Sequence, residues 1–483
     1  MNPDDGYSPE ESMTPNDLKS NASQPDLLHR RRIFTNRNLR MEAIEAIGFD
    51  MDHTLAIYNT ESFNRLTFDM AIVSLIENKN YDPRIAEVVW EPAGAIRGLC
   101  VDKKLGNLLK IDGYAHISRA RHGLNFLSKA EKKKQYPRGR IRIGKDRYRI
   151  FDTLFDMPEG ILYAGLVDLK DREPEVVPVG YRTLYDDIRD AVDTMHADGS
   201  LKVRITADLA AYFEKDDDLV PTLENFRRAG KKLFLLTNSE AEYTAKVMDF
   251  LVGGKTGSWE ELFDLVICFA CKPGYFVATG DGTLVPKGKL ADMPNRNGHC
   301  YVGGDSFFLE RKIGAAADDI LYFGDHTYGD ILRSKKSVGW RTAMIVPEVA
   351  EEVTALRPLL GDWHELAELE NVLEHLVMEK DFMQAAGSPA KADPARLKEL
   401  NKLIGDVLGQ RARLQRNLRV VLNPHWGSLF REGRAASRLG RQIMEFACIY
   451  SGRVSNFLNY PADKFFARPV EVLPHERWAQ PEA

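Results

Sequence analysis

The chain has 483 residues, long enough for two or three domains and a large core. Its 44% hydrophobic and 28% charged content are those of a soluble globular protein, and a formal net charge of −5 argues against nucleic acid as the main partner, leaving room only for a local basic pocket. No apolar run reaches the ~18–20 residues of a membrane span, and the polar, acidic start is no export signal, so no membrane contact and a cytoplasmic location are expected.

Residues 1–28 are rich in Asn, Asp, Ser, Pro and Glu, with too little apolar surface to order themselves; a disordered acidic tail is expected over 1–32. It ends in Arg30-Arg31-Arg32, either a solvated stretch or a nucleic-acid or partner contact. From residue 43 short strand-like apolar runs recur: "AIEAIGFDMD" (43–52), "KKLFLLTNS" (231–239), "LFDLVICFACKPG" (262–274), "DDILYFGDHTYGD" (318–330) and "WRTAMIVPE" (340–348). Helix-like segments alternate with them, among them "LVPTLENFRRAG" closing on Gly230 and "EAEYTAKVMDFLV" closing on Gly253-Gly254. Alternation of this kind predicts an α/β fold, a parallel sheet with helices on both faces, with ligands beyond the carboxyl ends of the strands. The first four runs all end in polar clusters there.

About 180 residues separate Asp52 from Lys231, where one crossover needs roughly a dozen. A large inserted domain is therefore expected over 61–204, splitting the core into 33–60 and 205–350. A helical region is expected over 351–483, packing on the core or building an oligomer interface. In it "PARLKELNKLIGDVLGQRARLQRNLRVVL" and "RAASRLGRQIMEFACIYSGRVSNFL" both read as amphipathic helices. The five cysteines, Cys100, Cys268, Cys271, Cys300 and Cys448, are scattered and suggest a reducing compartment. Cys268 and Cys271 form a CxxC, read as small residues at a strand end or as a metal or redox pair.

The chemistry sits at the strand ends. Asp50 and Asp52 are a carboxylate pair suited to nucleophilic, acid–base or metal-ligand work, or a solvated turn. Thr237-Asn238-Ser239 offers hydroxyls, an amide and N–H groups to an anion, and is also a good helix cap. Lys272 supplies a cation. Asp325 and Asp330 add a second carboxylate pair, in Gly-Asp turns. Together these fit phosphoryl transfer with Mg²⁺, since a dianionic phosphate beside four carboxylates needs a divalent cation and a lysine to offset repulsion. In "YDDIRDAVDTMHADGSLK" (185–202), read as a helix, Arg189, Asp193 and His196 form a polar stripe beside the apolar Ile188, Val192 and Met195. By itself that stripe is equally a solvated face with an i,i+4 ion pair.

The order DxDxT, Thr after an apolar strand, Lys, then GDxxxxD resembles the haloacid dehalogenase (HAD) superfamily. "GFDMDHTLAIY", "TNSEAEYTAKVM", "CKPGYF" and "YFGDHTYGDILRSKK" further resemble the cytosolic purine 5′-nucleotidases that prefer IMP and GMP. The resemblance runs from "RRIFTNRNLRME" to "YPADKFFARPVEVLPHE", over nine tenths of the chain. It implies a HAD-like (Rossmannoid) core with a large cap inserted between the first and second motifs. It also implies Mg²⁺-dependent hydrolysis of nucleoside 5′-monophosphates through an aspartyl-phosphate, with transfer to nucleosides open to the same intermediate. Asp50 would be the nucleophile and Asp52 the acid and base. Thr237, Asn238 and Ser239 would face the phosphate, and Lys272 would hold it and orient Asp50. Mg²⁺ would take the Asp50 and Asp325 side chains and the Asp52 main-chain carbonyl, with Asp330 supporting. Arg189 and Asp193 would read the base between His196 and Phe155, and Lys202 would reach toward the phosphate. The sequence departs from the pattern at His53, where the family often has Tyr, and at Asp152 and Asp156, where purine members carry Asn; the latter carboxylates lie near ribose or base and bear on which nucleotide is preferred. A dimer or tetramer fits the family. Two other readings stay open: a HAD phosphatase for another phosphomonoester, and a non-catalytic nucleotide-sensing scaffold, against which the full carboxylate and lysine set speaks.

Overall fold

Parallel strands buried on both faces are built from continuous apolar runs, and that is how this chain lays down its main sheet. The computed structural model describes residues 29–144, 146–253, 258–276, 291–292, 299–385, 393–471, 473 and 476. The expected tail thus lies outside the described residues up to 28. His29–Arg31 form a 3-10 turn, and Arg31 pairs with Asp218 at 3.2 Å.

In chain order, β1 (Phe34–Thr35) and β2 (Ala46–Phe49) come first, then helix α1 (Thr60–Lys79). A second group of strands follows: β3 (Cys100–Asp102), β4 (Asn107–Ile111), β5 (Ile117–His122), β6 (Asn125–Phe126) and β7 (Tyr148–Ile150). Helices α2 (Met157–Arg172), α3 (Tyr181–Ala197), α4 (Ser200–Ala207) and α5 (Leu219–Arg228) lead to β8 (Lys232–Leu236) and α6 (Ala241–Val252). Next come β9 (Leu265–Cys268), β10 (Ala291–Asp292), β11 (Cys300–Val302), α7 (Ser306–Ile313), β12 (Ile320–Gly324) and β13 (Arg341–Ile345). The chain continues through α8 (Leu360–Gln384), α9 (Pro394–Leu422), α10 (Arg438–Phe446) and β14 (Ile449–Ser451).

The main sheet runs β1-β14-β13-β12-β2-β8-β9-β11-β10. Its seven central strands are parallel, and β1 and β10 pair antiparallel at the edges. Alternate residues feed two separate cores: Ile47, Phe49, Leu235 and Phe323 pack with Leu223 of α5 and Met248 of α6, whereas Ala46, Phe234 and Tyr322 pack with Leu309 and Ile313 of α7. Helices therefore cover both faces, as expected for this α/β class. Gly48 is needed where it stands, because a Cβ there would lie 2.1 Å from the Phe234 ring. Between β2 and β8 the five strands β6-β5-β4-β3-β7 form their own antiparallel sheet.

Two sequence expectations need correction. The segment 185–202 is not one helix: α3 stops at Ala197, Gly199 takes φ +76°, and Lys202 belongs to α4. In the last amphipathic segment α10 stops at Phe446; Cys448 and Ile449–Ser451 turn into the sheet, where β13 offers an open parallel edge and β1 closes the other side, and a 3-10 turn at Val454–Asn459 follows. Unsatisfied edge groups outweigh local helix preference there. The long helix 394–422 forms as read. No helix among the described residues is long and apolar enough to cross a membrane.

Candidate active site

β2 lies between β12 and β8, so the chain leaves the sheet in opposite directions on its two sides, the place where open α/β sheets hold ligands. Asp50 follows β2 directly and its N–H still donates to Phe323 O at 2.8 Å. His53 takes φ +55°, and the N–H groups of Thr54, Leu55 and Ala56 all donate to Met51 O at 2.9–3.2 Å. That tight turn explains two carboxylates straight after a buried strand: it places both over the sheet end with different partners.

Asp50 Oδ1 accepts from Met51 N at 2.7 Å and lies 3.0 Å from Lys272 Nζ. Lys272 Nζ also meets Asp330 Oδ1 at 2.7 Å and the Tyr322 hydroxyl at 2.8 Å. Asn238 fixes the lysine's backbone, accepting from Lys272 N at 2.7 Å and donating to Lys272 O at 3.0 Å, so its amide oxygen and one of its two N–H groups serve the lysine loop. Thr237 is fully buried and its hydroxyl accepts from Ser239 N at 3.1 Å. Asp52 turns the other way. Its Oδ1 accepts from the Tyr58 hydroxyl and its Oδ2 from the Ser239 hydroxyl, both at 2.7 Å, and Tyr58 in turn meets Tyr243 at 3.0 Å.

Asp325 follows β12, and Asp330 comes back over the strand end because Gly324 has no side chain; a Cβ there would lie 2.5 Å from Asp330 Cβ. Carboxylate oxygens of Asp50, Asp325 and Asp330 lie within 4.8 Å of one another, all buried. Burial raises the Asp50 carboxyl to about 8, with Asp330 and Asp52 adding to the shift and Lys272 opposing it. Burial likewise holds Asp325 well above the ordinary range. Burial works against the Lys272 charge, and Asp330 and Asp50 outweigh it. Three carboxylates face one ammonium, and Asp325 Oδ2 is buried with no hydrogen-bond partner. All-oxygen donors, the crowding of three buried carboxyl groups at one point and that orphaned oxygen fit a hard divalent cation such as Mg²⁺. No group of three or more ligating side chains among the described residues includes Cys268 or Cys271.

A cavity of about 320 Å³ opens beside Asp52, Asn238 and Ser239. Phe155, Asp156, Arg189, Asp193, His196 and Lys202 line it too, so the structure gathers every expected substrate residue at one place. The details differ from expectation. Phe155 and His196 touch edge to face, 5.7 Å between centroids and 80° between planes, so the rings do not form a slot for a planar base. Phe155 packs instead against His53, Tyr58 and Phe63. Lys202 is paired with Glu240 and lies over the Tyr243 ring. Burial raises the Asp152 carboxyl, which Gln442 contacts at 3.4 Å.

Sequence reading missed Glu159, Arg149, Tyr58, Tyr243 and His326 in the same cavity. Glu159 did carry a signal, a lone carboxylate in the otherwise apolar "MPEGILYAGLV", because such a residue stays buried only with partners. Burial raises it to about 7, Asp156 adding and Arg189 opposing.

The chain matches the model of the 5′ nucleotidase family over residues 33–478. It is 29% identical over 461 residues to a 5′-nucleotidase domain-containing protein of Dictyostelium discoideum, covering 92% of this chain and 74% of that one. Among solved structures, CbbY of Rhodobacter sphaeroides in complex with phosphate is 14% identical, with 62% of this chain and 86% of that one covered and a TM-score of 0.25. The HAD-hydrolase YfnB of Bacillus subtilis, bound to magnesium, is 14% identical over 63% of this chain and 89% of that one, with a TM-score of 0.23. At such scores the fold rests on the sheet topology described above.

Proposed function

Because the chain belongs to the 5′ nucleotidase family, and is a phosphoric monoester hydrolase, we propose that it hydrolyses nucleoside 5′-monophosphates of the 6-oxopurine type, IMP and GMP, with Mg²⁺. The observation that carries this reading is the meeting of Asp50, Asp325 and Asp330 around Lys272, next to a cavity shared by Asp52 and Arg189.

Both donors to the Asp50 side chain take Oδ1, which leaves Oδ2 to attack phosphorus. The new P–O bond forms as the bond to the nucleoside O5′ breaks, and O5′ takes a proton from Asp52. Water then attacks the aspartyl-phosphate, Asp52 takes back a proton, and phosphate leaves with Asp50 restored. A nucleoside hydroxyl in place of water gives phosphotransfer. Tyr58 and Ser239 hold the Asp52 carboxylate on both oxygens, so its aim does not depend on substrate. Lys272 keeps Asp50 in line. Asp50, Asp325 and Asp330, with the Asp52 main-chain carbonyl, would hold Mg²⁺, which supplies charge neutralisation and Lewis acidity toward the phosphate oxygens.

The edge contact of Phe155 with His196 favours a second reading, a phosphatase for a phosphomonoester without a base. Phosphate release from IMP, GMP, AMP and ribose 5-phosphate, with and without Mg²⁺ and with inosine as acceptor, separates the two. Equal kcat/KM for IMP and ribose 5-phosphate would sink the nucleotide reading and leave the phosphatase class intact.

A further inference from the structure

The Arg189 guanidinium has five N–H donors, and four are already committed. Nε and Nη2 hold Asp193 at 2.9 and 2.8 Å. Nη1 holds Asp156 Oδ1 at 3.1 Å and Glu159 Oε1 at 2.5 Å. Asp193 is one helical turn away on α3 and its side chain is 55% exposed, which makes it a weak anchor. Glu159 and Asp156 are different. They are three residues apart at the start of α2, on one side of it, with side chains 0% and 2% exposed. Glu159 is itself held, because the Tyr185 hydroxyl of α3 donates to its Oε2 at 3.0 Å and leaves Oε1 facing the arginine. Asp156 Oδ2 is likewise taken by the N–H groups of Asp152 and Thr153, at 2.9 and 3.2 Å.

We propose that Glu159 is a positioning residue for base recognition: from α2 it locks the Arg189 fork of α3, at the wall of the cavity, so that one N–H remains to read the base. This rests on the reading of the cavity as a nucleotide site. A buried carboxylate is poor value for stability alone, since an apolar replacement costs little or gains. Its worth is orientation. Without it Nη1 keeps only the longer contact to Asp156 Oδ1, which Arg149 Nη2 shares at 3.4 Å, so the guanidinium is held less firmly against its exposed i,i+4 partner. The consequence falls on substrates that have a base and spares the phosphate end, because Asp50, Asp52 and Lys272 share no hydrogen bond with Glu159.

The test compares kcat/KM for IMP and for ribose 5-phosphate in the wild type, Glu159→Gln, Arg189→Ala and the double variant, with Mg²⁺ present. Glu159→Gln should raise KM for IMP roughly tenfold or more, with a smaller change in kcat, and lower the IMP to ribose 5-phosphate ratio by the same factor. The double variant should be no worse than Arg189→Ala, since Glu159 acts through that arginine. An unmoved ratio in Glu159→Gln, or losses that add in the double variant, overturns the proposal while the nucleotide reading stands. A wild type that does not distinguish the two substrates overturns the nucleotide reading and this inference with it. Should Glu159→Gln fail to fold, Tyr185→Phe, which frees Oε2, carries the same comparison with a smaller shift in the same direction.

Discussion

Arg97 donates from Nη1 to the main-chain oxygen of Asp325 at 3.2 Å, while its Nε and Nη2 grip Glu348 at 2.7 and 2.6 Å. Its side chain is completely buried. The loop that carries Asp325 is thus held by a residue from the long stretch between β2 and β8, as well as by its own strand.

Replacing Arg97 by Met should therefore do two things. Glu348 loses a bidentate partner, and because it is 23% exposed the cost is about 2–3 kcal/mol, below that of a fully buried pair. The Asp325 loop also loses its anchor, so divalent-ion affinity should fall. Thermal denaturation with and without Mg²⁺ measures both; an unchanged melting point and an unchanged Mg²⁺ response would remove Arg97 from the account.

The three-carboxylate cluster makes a prediction with opposite signs in the two states. Without metal, Asp325→Asn removes a buried carboxylate from beside two others and should raise the melting temperature. With Mg²⁺ the wild type should gain stability by mass action and the variant should not. A variant that still gains as much as the wild type would place the cation elsewhere.

Asp50→Asn should abolish phosphate release from every substrate and leave no acyl phosphate on the protein. Asp52→Asn should lose roughly 10²–10⁴-fold with IMP, the usual span of acid–base assistance. It should still form the phosphoenzyme from p-nitrophenyl phosphate, whose leaving group needs no proton. Tyr58→Phe releases one Asp52 oxygen and should reproduce the same leaving-group dependence more mildly. Rapid-quench measurement of the acyl phosphate separates the steps.

Glu159 makes the fold sensitive to pH. Its carboxyl is raised to about 7 from an ordinary 4.5, chiefly by burial. Between those values the unfolded chain has released a proton that the folded chain still holds. Stability from this group is therefore complete below about 4.5 and is lost as pH rises toward 7, a change on the order of 3 kcal/mol. Glu159→Gln cannot titrate, so its stability should gain on the wild type across that window. Parallel denaturant curves would refute the assignment.

The main sheet was legible because each parallel strand is a compact apolar run closed by a polar cluster, and the site residues fall in those clusters: Asp50, Thr237, Lys272 and Asp325 all follow a strand by one to four residues. Arg189, Asp193 and His196 were legible as a helical stripe, though the family resemblance and not the spacing separated them from a solvated face. Arg97 could not be read in advance. Its partners Asp325 and Glu348 are 228 and 251 residues away, and a lone arginine before Gly98 has no periodicity to mark it. The strand Ile449–Ser451 was hidden because "RQIMEFACIY" keeps a helix-like apolar stripe past the point where the sheet edge captures it. Likewise the engagement of Asn238 with the Lys272 backbone is a contact between two separate loops, and no local pattern encodes it.

The pairing of Phe34 with Tyr450 and of Leu39 with Phe466 has a consequence for how the molecule is made. The nascent polypeptide emerges with β1 first, but the partner that seats β1 leaves the ribosome more than 400 residues later. Until then the flank of β13 stays bare on a half-made sheet, a template for wrong partners that a chaperone or speedy completion of synthesis has to cover. Stop codons shortly before residue 449 should for that reason yield insoluble product even though every residue placed around Asp50 has already been translated.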